Sequence, residues 1–110
     1  MEIFYGDNKI KKKLSSLIEI NKAFGNNAKM VARRMTEIKN APTLATILAL
    51  PGPNCHPLSG DLKGEWAVNV SGNYRMIFEL NHVPIPKKDD GSIDARQVLS
   101  IIILRVQDYH

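Results

Sequence analysis

The chain has 110 residues, enough for a single domain over residues 1–110 with one hydrophobic core. No apolar run approaches the roughly 20 residues needed to cross a bilayer, and the N-terminus lacks the basic and apolar segments of a signal peptide. Cys55 is the only cysteine, which excludes an internal disulfide and fits a reducing compartment. We therefore expect a cytoplasmic protein with no membrane partner.

The formal charge of +4 is unevenly distributed along the chain. Residues 1–40 carry nine Lys/Arg and four Asp/Glu, whereas residues 41–110 carry six Lys/Arg and seven Asp/Glu. A local positive field attracts polyanions such as nucleic acid, an acidic lipid surface or an acidic protein. Lysines that only keep a helix face hydrated would give the same excess, so charge alone leaves both interpretations open.

The N-terminal part is predicted to contain a short edge strand at residues 2–5 and then two helices. The first helix carries an apolar stripe made of Ile10, Leu14, Leu17, Ile18 and Phe24. Gly25 ends it, and a second helix follows with Val31, Met35 and Ile38 on one face. Pro42 ends the second helix. The two helices predict an antiparallel hairpin with basic outer faces.

The rest of the chain is predicted to be mostly strands. Residues 43–50 form a short third helix, and residues 51–54 break it. Residues 66–71 and 74–80 alternate in the manner of a β-hairpin closed by a tight turn. A loop at residues 81–97 then leads to a central, well-buried strand at residues 98–107. The expected fold class is α+β, with an N-terminal helix hairpin packed on a small antiparallel β-sheet.

Three segments carry side chains suited to acid–base or phosphate chemistry: residues 55–61, 73–75 and 108–110. Hairpin pairing is expected to place Arg75 near Ser71 and Asn69. The last strand is expected to deliver Asp108, Tyr109 and His110 to one end of the same sheet. Histidine titrates near neutrality, and the guanidinium of arginine fits phosphate oxygens, so these residue types suit cleavage of a phosphodiester.

Taken together, the three segments resemble the HigB killer toxins of the RelE/ParE superfamily. The matching motifs are HPLSGDLKGEW at residues 56–66, SGNYRMIF at residues 71–78 and DYH at residues 108–110. Each motif alone is weakly specific, whereas three in order at compatible spacing are a strong signal. The basic helix hairpin upstream agrees with the family in length and character.

The resemblance implies a RelE-like fold and the toxin of a type II toxin–antitoxin system. The resemblance also implies that this toxin is a metal-independent, ribosome-dependent endoribonuclease that uses no cofactor. Its expected partners are a helix-turn-helix antitoxin of the HigA type, the ribosome and messenger RNA. By position, the active-site motifs fall on His56, Arg75, Asp108, Tyr109 and His110.

Ser59 stands where many members of this family have a lysine, so a phosphate-binding cation is missing there. Lys63 is the nearest possible substitute. Binding of RNA and the ribosome is expected at a basic set made of Lys11, Lys12, Lys13, Arg33, Arg34 and Lys63.

The chemistry supports these residue types independently of the resemblance. RNA carries its own nucleophile, the 2′-hydroxyl beside the scissile phosphate. Attack requires a base for the hydroxyl proton, an acid for the leaving 5′-oxygen and positive charge on the phosphorane. Three scattered histidines and one cysteine do not have the spacing of a zinc site, so we predict no metal.

Each candidate residue also has a purely structural interpretation. His56 can be an ordinary loop residue, Arg75 can pair with Glu65 or Glu79 on the sheet surface, and residues at a terminus are usually frayed. Trp66 is interpreted as a core residue. Two other functions remain open: a non-catalytic gyrase inhibitor like the ParE toxins, and an RNA-binding regulatory module.

Overall fold

A computed structural model describes residues 1–108, so Tyr109 and His110 lie outside the described residues. The helices and strands follow in the order β1 Glu2–Tyr5, α1 Asn8–Lys13, α2 Leu17–Phe24, α3 Ala28–Asn40, α4 Leu44–Ala49, β2 His56–Pro57, β3 Glu65–Ser71, β4 Tyr74–Leu80 and β5 Ser100–Asp108. The predicted α+β class is confirmed. Among the described residues, no helix is both long enough and apolar enough to cross a bilayer.

The five strands form one sheet in the order β1-β5-β4-β3-β2. Pairing is antiparallel from β2 through β5, but β1 runs parallel to β5. The predicted antiparallel sheet is therefore found from β2 through β5, whereas β1 departs from it. All four helices lie between β1 and the other strands in the sequence. β1 is therefore not joined to its neighbour by a short hairpin turn, which would have required antiparallel pairing. β5 lies inside the sheet, between β1 and β4, as predicted.

The hydrophobic core lies between the helices and one face of the sheet. Val31 and Ile38 of α3 are fully or almost fully buried, as are Val68, Met76 and Ile103 of the three inner strands. Trp66 is also buried at the end of this layer, which confirms its interpretation as a core residue. Among residues 1–108, the core cluster does not include Ala67 and Ile77, which are fully buried on the opposite face of the sheet.

The predicted first helix is two helices, α1 and α2. The Ser15 hydroxyl donates to the Lys12 carbonyl oxygen (2.7 Å), and the Ser16 hydroxyl accepts from the Glu19 amide (3.1 Å). Ser16 therefore caps a new helix, because its side chain satisfies an amide that has no partner within the helix. The new helix buries Ile20 and Phe24 in the core.

The helix break changes which apolar residues are buried. Leu17 and Ile18 are each 68% exposed, so their expected place in the core stripe was wrong. A continuous helix would have kept them in phase with Ile10 and Leu14, whereas the break resets the phase. The helix hairpin on the sheet consists of α2 and α3, with α1 packed beside it.

Candidate functional site

The sheet face opposite the helices, called the open face below, brings His56 and Arg75 together. His56 pairs with Ala67, and Asn69 pairs with Arg75. Directly paired residues share a face, and residues two apart on one strand share it as well. Because Val68 faces the helices, its neighbours on β3 and their partners point the other way. The open face therefore carries His56, Glu65, Ala67, Asn69, Arg75, Ile77, Glu79, Ile102, Arg105 and Gln107.

His56 and Arg75 are within reach of one phosphodiester. They are two strands apart across the sheet and two residues apart along it. Standard strand spacing then gives a Cα–Cα separation of about 12 Å. An imidazole and a guanidinium reaching toward each other across that span can contact opposite sides of one phosphate group.

The hydrogen bond to His56 determines its tautomer. β2 is only two residues long, and the adjacent Leu58 amide donates to the Glu65 carbonyl oxygen (2.8 Å). The His56 Nδ1 atom lies 2.8 Å from the Asn54 carbonyl oxygen. A carbonyl oxygen only accepts, so Nδ1 carries the proton in this contact. In the neutral ring Nε2 is then the basic nitrogen.

Arg75 lies near the hairpin end of β4, opposite Asn69 of β3 and Gln107 of β5. This confirms the predicted position next to Asn69. The suggested partner Glu65 is engaged elsewhere, since it forms an ion pair with Arg105. Arg75 is half-buried, so its guanidinium is less hydrated than that of a typical surface arginine.

Sequence reasoning missed the ion pair between Arg105 and Glu65. Arg105 Nη2 lies 2.6 Å from Glu65 Oε1, and Nη1 lies 3.5 Å from Oε2. Arg105 is on β5 and Glu65 is on β3, so the pair crosses over β4. Ile77 of β4 is fully buried although it lies on the open face. A charged residue inside the apolar run 98–107 was the signal that could have revealed this pair.

Asp108 lies at the end of the sheet, as predicted, and its strand pairing shows which face it shares. It pairs with Tyr74, whose ring makes an edge-to-face contact with Phe24 of α2 at 6.5 Å. Tyr74 belongs to the row that faces the helices, so Asp108 is aligned with that row and not with His56 and Arg75. The predicted site residues Tyr109 and His110 lie outside the described residues.

The basic set divides into exposed and buried members. Lys11 and Lys12 are exposed, Lys13 is half-exposed, and the Arg33 side chain is 68% exposed with its Nε atom 3.8 Å from Glu37 Oε2. Arg34 is only 5% exposed. Its expected place on an outer helix face was wrong, because residue 34 is in helical phase with Val31, Met35 and Ile38, which all face the sheet.

Lys63 lies beside a cavity of about 480 Å³ that Pro57, Trp66 and Ile85 also line. Pro57 pairs with Trp66, whose row faces the helices. The cavity therefore does not place Lys63 next to His56 and Arg75 on the open face. Its role as a substitute cation stays a prediction.

Cys55 is adjacent to His56 but is poorly suited to act as a nucleophile. The residue packs against the core, and burial raises the pKa of its thiol to about 12. The reactive form of cysteine is the thiolate, which is scarce at neutral pH when the pKa is so high. Within residues 1–108, no three His, Cys, Asp or Glu side chains are grouped so as to hold a metal ion.

No protein-family model matches the chain, and neither does any curated protein sequence. Two solved structures are similar over nearly the whole chain. One is a YoeB/ParE toxin from Agrobacterium tumefaciens, with a TM-score of 0.55, 11% identity and coverage of 100% of both chains. The chain has the fold of these toxins. The other is a histidine-to-glutamine variant of YafQ from E. coli, with a TM-score of 0.57, 18% identity and coverage of 97% of this chain and 91% of that chain.

The comparisons therefore confirm the RelE-like fold predicted from the sequence motifs. At 11% and 18% identity they establish architecture and not chemistry. The assignment of individual site residues depends on the geometry of the open face.

Proposed function

We propose that residues 1–110 form the toxin of a type II toxin–antitoxin system, a HigB-type endoribonuclease that cleaves messenger RNA on cytoplasmic ribosomes without a metal ion or cofactor. One observation carries this proposal: His56 and Arg75 share the open face of a sheet whose fold is that of the RelE-like toxins. An imidazole and a guanidinium at this spacing supply two of the groups that RNA cleavage requires.

In the proposed reaction, His56 Nε2 takes the proton of the 2′-hydroxyl. The 2′-oxygen then forms a bond to phosphorus, and the bond from phosphorus to the 5′-oxygen breaks. The products are a 2′,3′-cyclic phosphate and a 5′-hydroxyl. Arg75 stabilises the negative charge on the phosphorane through its fixed fork of donors. The leaving 5′-oxygen takes a proton from His110, the proposed acid.

The ribosome is proposed to position the RNA on this open face. The site is a strand surface and not a deep pocket, so the protein itself offers little to orient a free substrate. Lys11, Lys12, Lys13 and Arg33 of the helix layer, together with Lys63, are proposed to bind phosphates of ribosomal RNA. Arg34 is left out of this set because it is buried.

The antitoxin is proposed to be a helix-turn-helix protein of the HigA type that docks on the region of residues 1–40. This region combines positive charge with the exposed side chains of Leu17 and Ile18. Exposed apolar residues beside lysines suit an amphipathic acidic segment of a partner. A structure of the complex that leaves residues 1–40 fully exposed would contradict this docking.

The direct test is cleavage of messenger RNA in a reconstituted translation system with and without ribosomes. The wild-type protein should cut only RNA that is being translated. His56→Gln should lower the rate by about 10²–10⁴-fold, as expected for the loss of an acid–base group. His82→Gln is the matched control, because His82 Nε2 accepts from the Leu99 amide (3.0 Å) away from the open face. Full activity of His56→Gln would refute the proposed mechanism.

A second candidate is a non-catalytic gyrase inhibitor, because one similar structure bears the name YoeB/ParE toxin. This function requires no acid–base set. Growth arrest with intact messenger RNA and inhibited supercoiling by purified gyrase would favour it. Absence of growth arrest would instead favour an RNA-binding regulatory module.

A further inference from the structure

Arg34 is a buried cation that joins α3 to the sheet. Its Nε atom donates to the Asn69 carbonyl oxygen (2.6 Å), and its Nη1 atom donates to Glu37 Oε1 (2.7 Å). The guanidinium also lies against Gly52, where an added Cβ would be 3.4 Å from Nη2. The charge is therefore neutralised by Glu37, while the planar group contacts both β3 and the turn at residues 51–54.

Two further hydrogen bonds connect this turn to His56. The Asn69 amide donates to the Pro53 carbonyl oxygen (2.7 Å), and the next carbonyl in the chain, that of Asn54, accepts from His56 Nδ1 (2.8 Å). Pro53 is fully buried, and Asn54 has a φ of +45°. The left-handed region is uncommon for non-glycine residues, so the turn needs contacts that hold it in this conformation.

Arg34 therefore fixes one end of a short path that ends at the imidazole of His56. Arg34 donates to the carbonyl oxygen of Asn69, and the Asn69 amide donates to the carbonyl oxygen of Pro53. The residue after Pro53, Asn54, accepts from His56 Nδ1. The Asn54 carbonyl remains in place to accept from Nδ1 only if the turn keeps its position. Loss of this acceptor would release the imidazole to rotate and to exchange between its two neutral tautomers.

We propose that Arg34 is a positioning residue for His56, holding the turn at residues 51–54 so that Nε2 is kept as the proton acceptor. This inference rests on the proposed function for its effect on cleavage, but its structural part concerns only the imidazole of His56. It replaces the phosphate-binding role expected for Arg34 from the sequence. A misplaced catalytic group can cost up to about 10²-fold in rate, even when the altered residue does not touch the substrate.

The test compares Arg34→Met with Arg33→Met, the exposed neighbour on the same helix. NMR of protein labelled with ¹⁵N at histidine reports which ring nitrogen of neutral His56 carries the proton. The wild type and Arg33→Met should show protonated Nδ1, and Arg34→Met should show a mixture of the two tautomers. Unchanged His56 signals in a folded Arg34→Met protein would overturn the proposal.

Arg34→Lys provides a second variant in case Arg34→Met does not fold. A lysine keeps the positive charge near Glu37. Its single amine lacks the planar guanidinium that donates to Asn69 and to Glu37 at the same time. We expect the His56 signals of Arg34→Lys to lie between those of the wild type and those of the two-tautomer mixture in Arg34→Met. The cleavage rate should be partly recovered relative to Arg34→Met. His56 signals identical to those of the wild type in folded Arg34→Lys, with Arg34→Met unfolded, would also overturn the proposal.

Kinetics separate positioning from RNA binding and from the proposed function. A positioning role lowers kcat by up to about 10²-fold with little change in KM, whereas a phosphate contact would raise KM. A raised KM with normal kcat would therefore refute positioning. If His56→Gln is fully active while the His56 tautomer changes in Arg34→Met, the proposed catalytic function fails and the structural inference stands.

Discussion

At the scale of single residues, Glu65 and Arg105 form an ion pair on the open face. It is bidentate and crosses β4, with side-chain exposures of 21% for Glu65 and 32% for Arg105. Partial exposure limits its net contribution to stability, because water screens the attraction between the two charges. Ile77, the residue of β4 that pairs with Arg105, is fully buried on this face.

We predict that Glu65→Gln and Arg105→Met each lower the free energy of unfolding by about 1 kcal/mol. The double variant should lose less than the sum of the two, because the second substitution removes a partner that is already unpaired. Urea unfolding of the four proteins measures this coupling, with Arg96→Met as an exposed control. Strictly additive losses would show that the pair contributes nothing.

Cys55 gives a pH-dependent prediction. Its pKa is raised from 9.0 to about 12 by burial, so folding favours the neutral thiol. The resulting stability is fully present below pH 9 and is lost as the pH rises from 9 toward 12, because the unfolded chain ionises first. At pH 8 the native protein should react with iodoacetamide much more slowly than the unfolded protein. Equal rates would contradict the burial of this thiol.

At the scale of secondary-structure elements, Ser16 determines where α2 begins. Its hydroxyl accepts from the Glu19 amide, the usual contact of an N-cap serine. Ser16→Ala should therefore lower the free energy of unfolding by about 1 kcal/mol. Ser15→Ala is the matched control, because the exposed Ser15 hydroxyl only donates to the Lys12 carbonyl at the end of α1. Equal losses in thermal melts of both variants would show that the cap is not specific.

The elements were predictable from the sequence where one local signal dominated. The hairpin of β3 and β4 followed from alternation and the turn at residues 71–73, and β5 followed from its apolar run. The break between α1 and α2 was missed because Leu17 and Ile18 fit a continuous helical stripe as well as an exposed face. The direction of β1 was missed because strand pairing between distant segments has no local signal.

At the scale of the whole molecule, the positive charge is concentrated in the helix layer, whereas His56 and Arg75 lie on the other face of the sheet. If Lys12 contacts a phosphate of the ribosome, binding releases a counterion. We predict that Lys12→Gln weakens ribosome binding and reduces the slope of log K against log salt concentration by about 1. Lys88→Gln, in the loop after β4, should leave that slope unchanged. No change for either variant would refute the role of the helix layer.

The candidate site was predictable in part. The motifs led to His56 and Arg75, and pairing in the sheet places both on the open face. Burial of Arg34 was missed although the spacing indicated it, because residue 34 is in helical phase with Val31, Met35 and Ile38. The face of Asp108 was not predictable, since alternation along β5 depends on a register shift opposite Ile77 and Phe78.

The complete set of proposed catalytic residues comes from three distant parts of the chain, and its last members follow β5. Within residues 1–108, β5 extends to Asp108, which pairs with Tyr74. We predict that deleting Tyr109 and His110 changes the free energy of unfolding by less than about 0.5 kcal/mol. Ribosome-dependent cleavage should fall by about 10²–10⁴-fold, because the proposed acid is lost.

The measurement pairs a urea titration of the truncated protein with its cleavage rate on translating ribosomes. His110→Gln should reproduce the loss in rate without shortening the chain, whereas His82→Gln should not, because His82 serves the backbone of Leu99. If both His110 variants cleave at the wild-type rate while remaining folded, the leaving oxygen takes its proton from elsewhere. Asp108→Asn would then separate the contribution of its carboxylate, because it leaves the backbone pairing with Tyr74 intact.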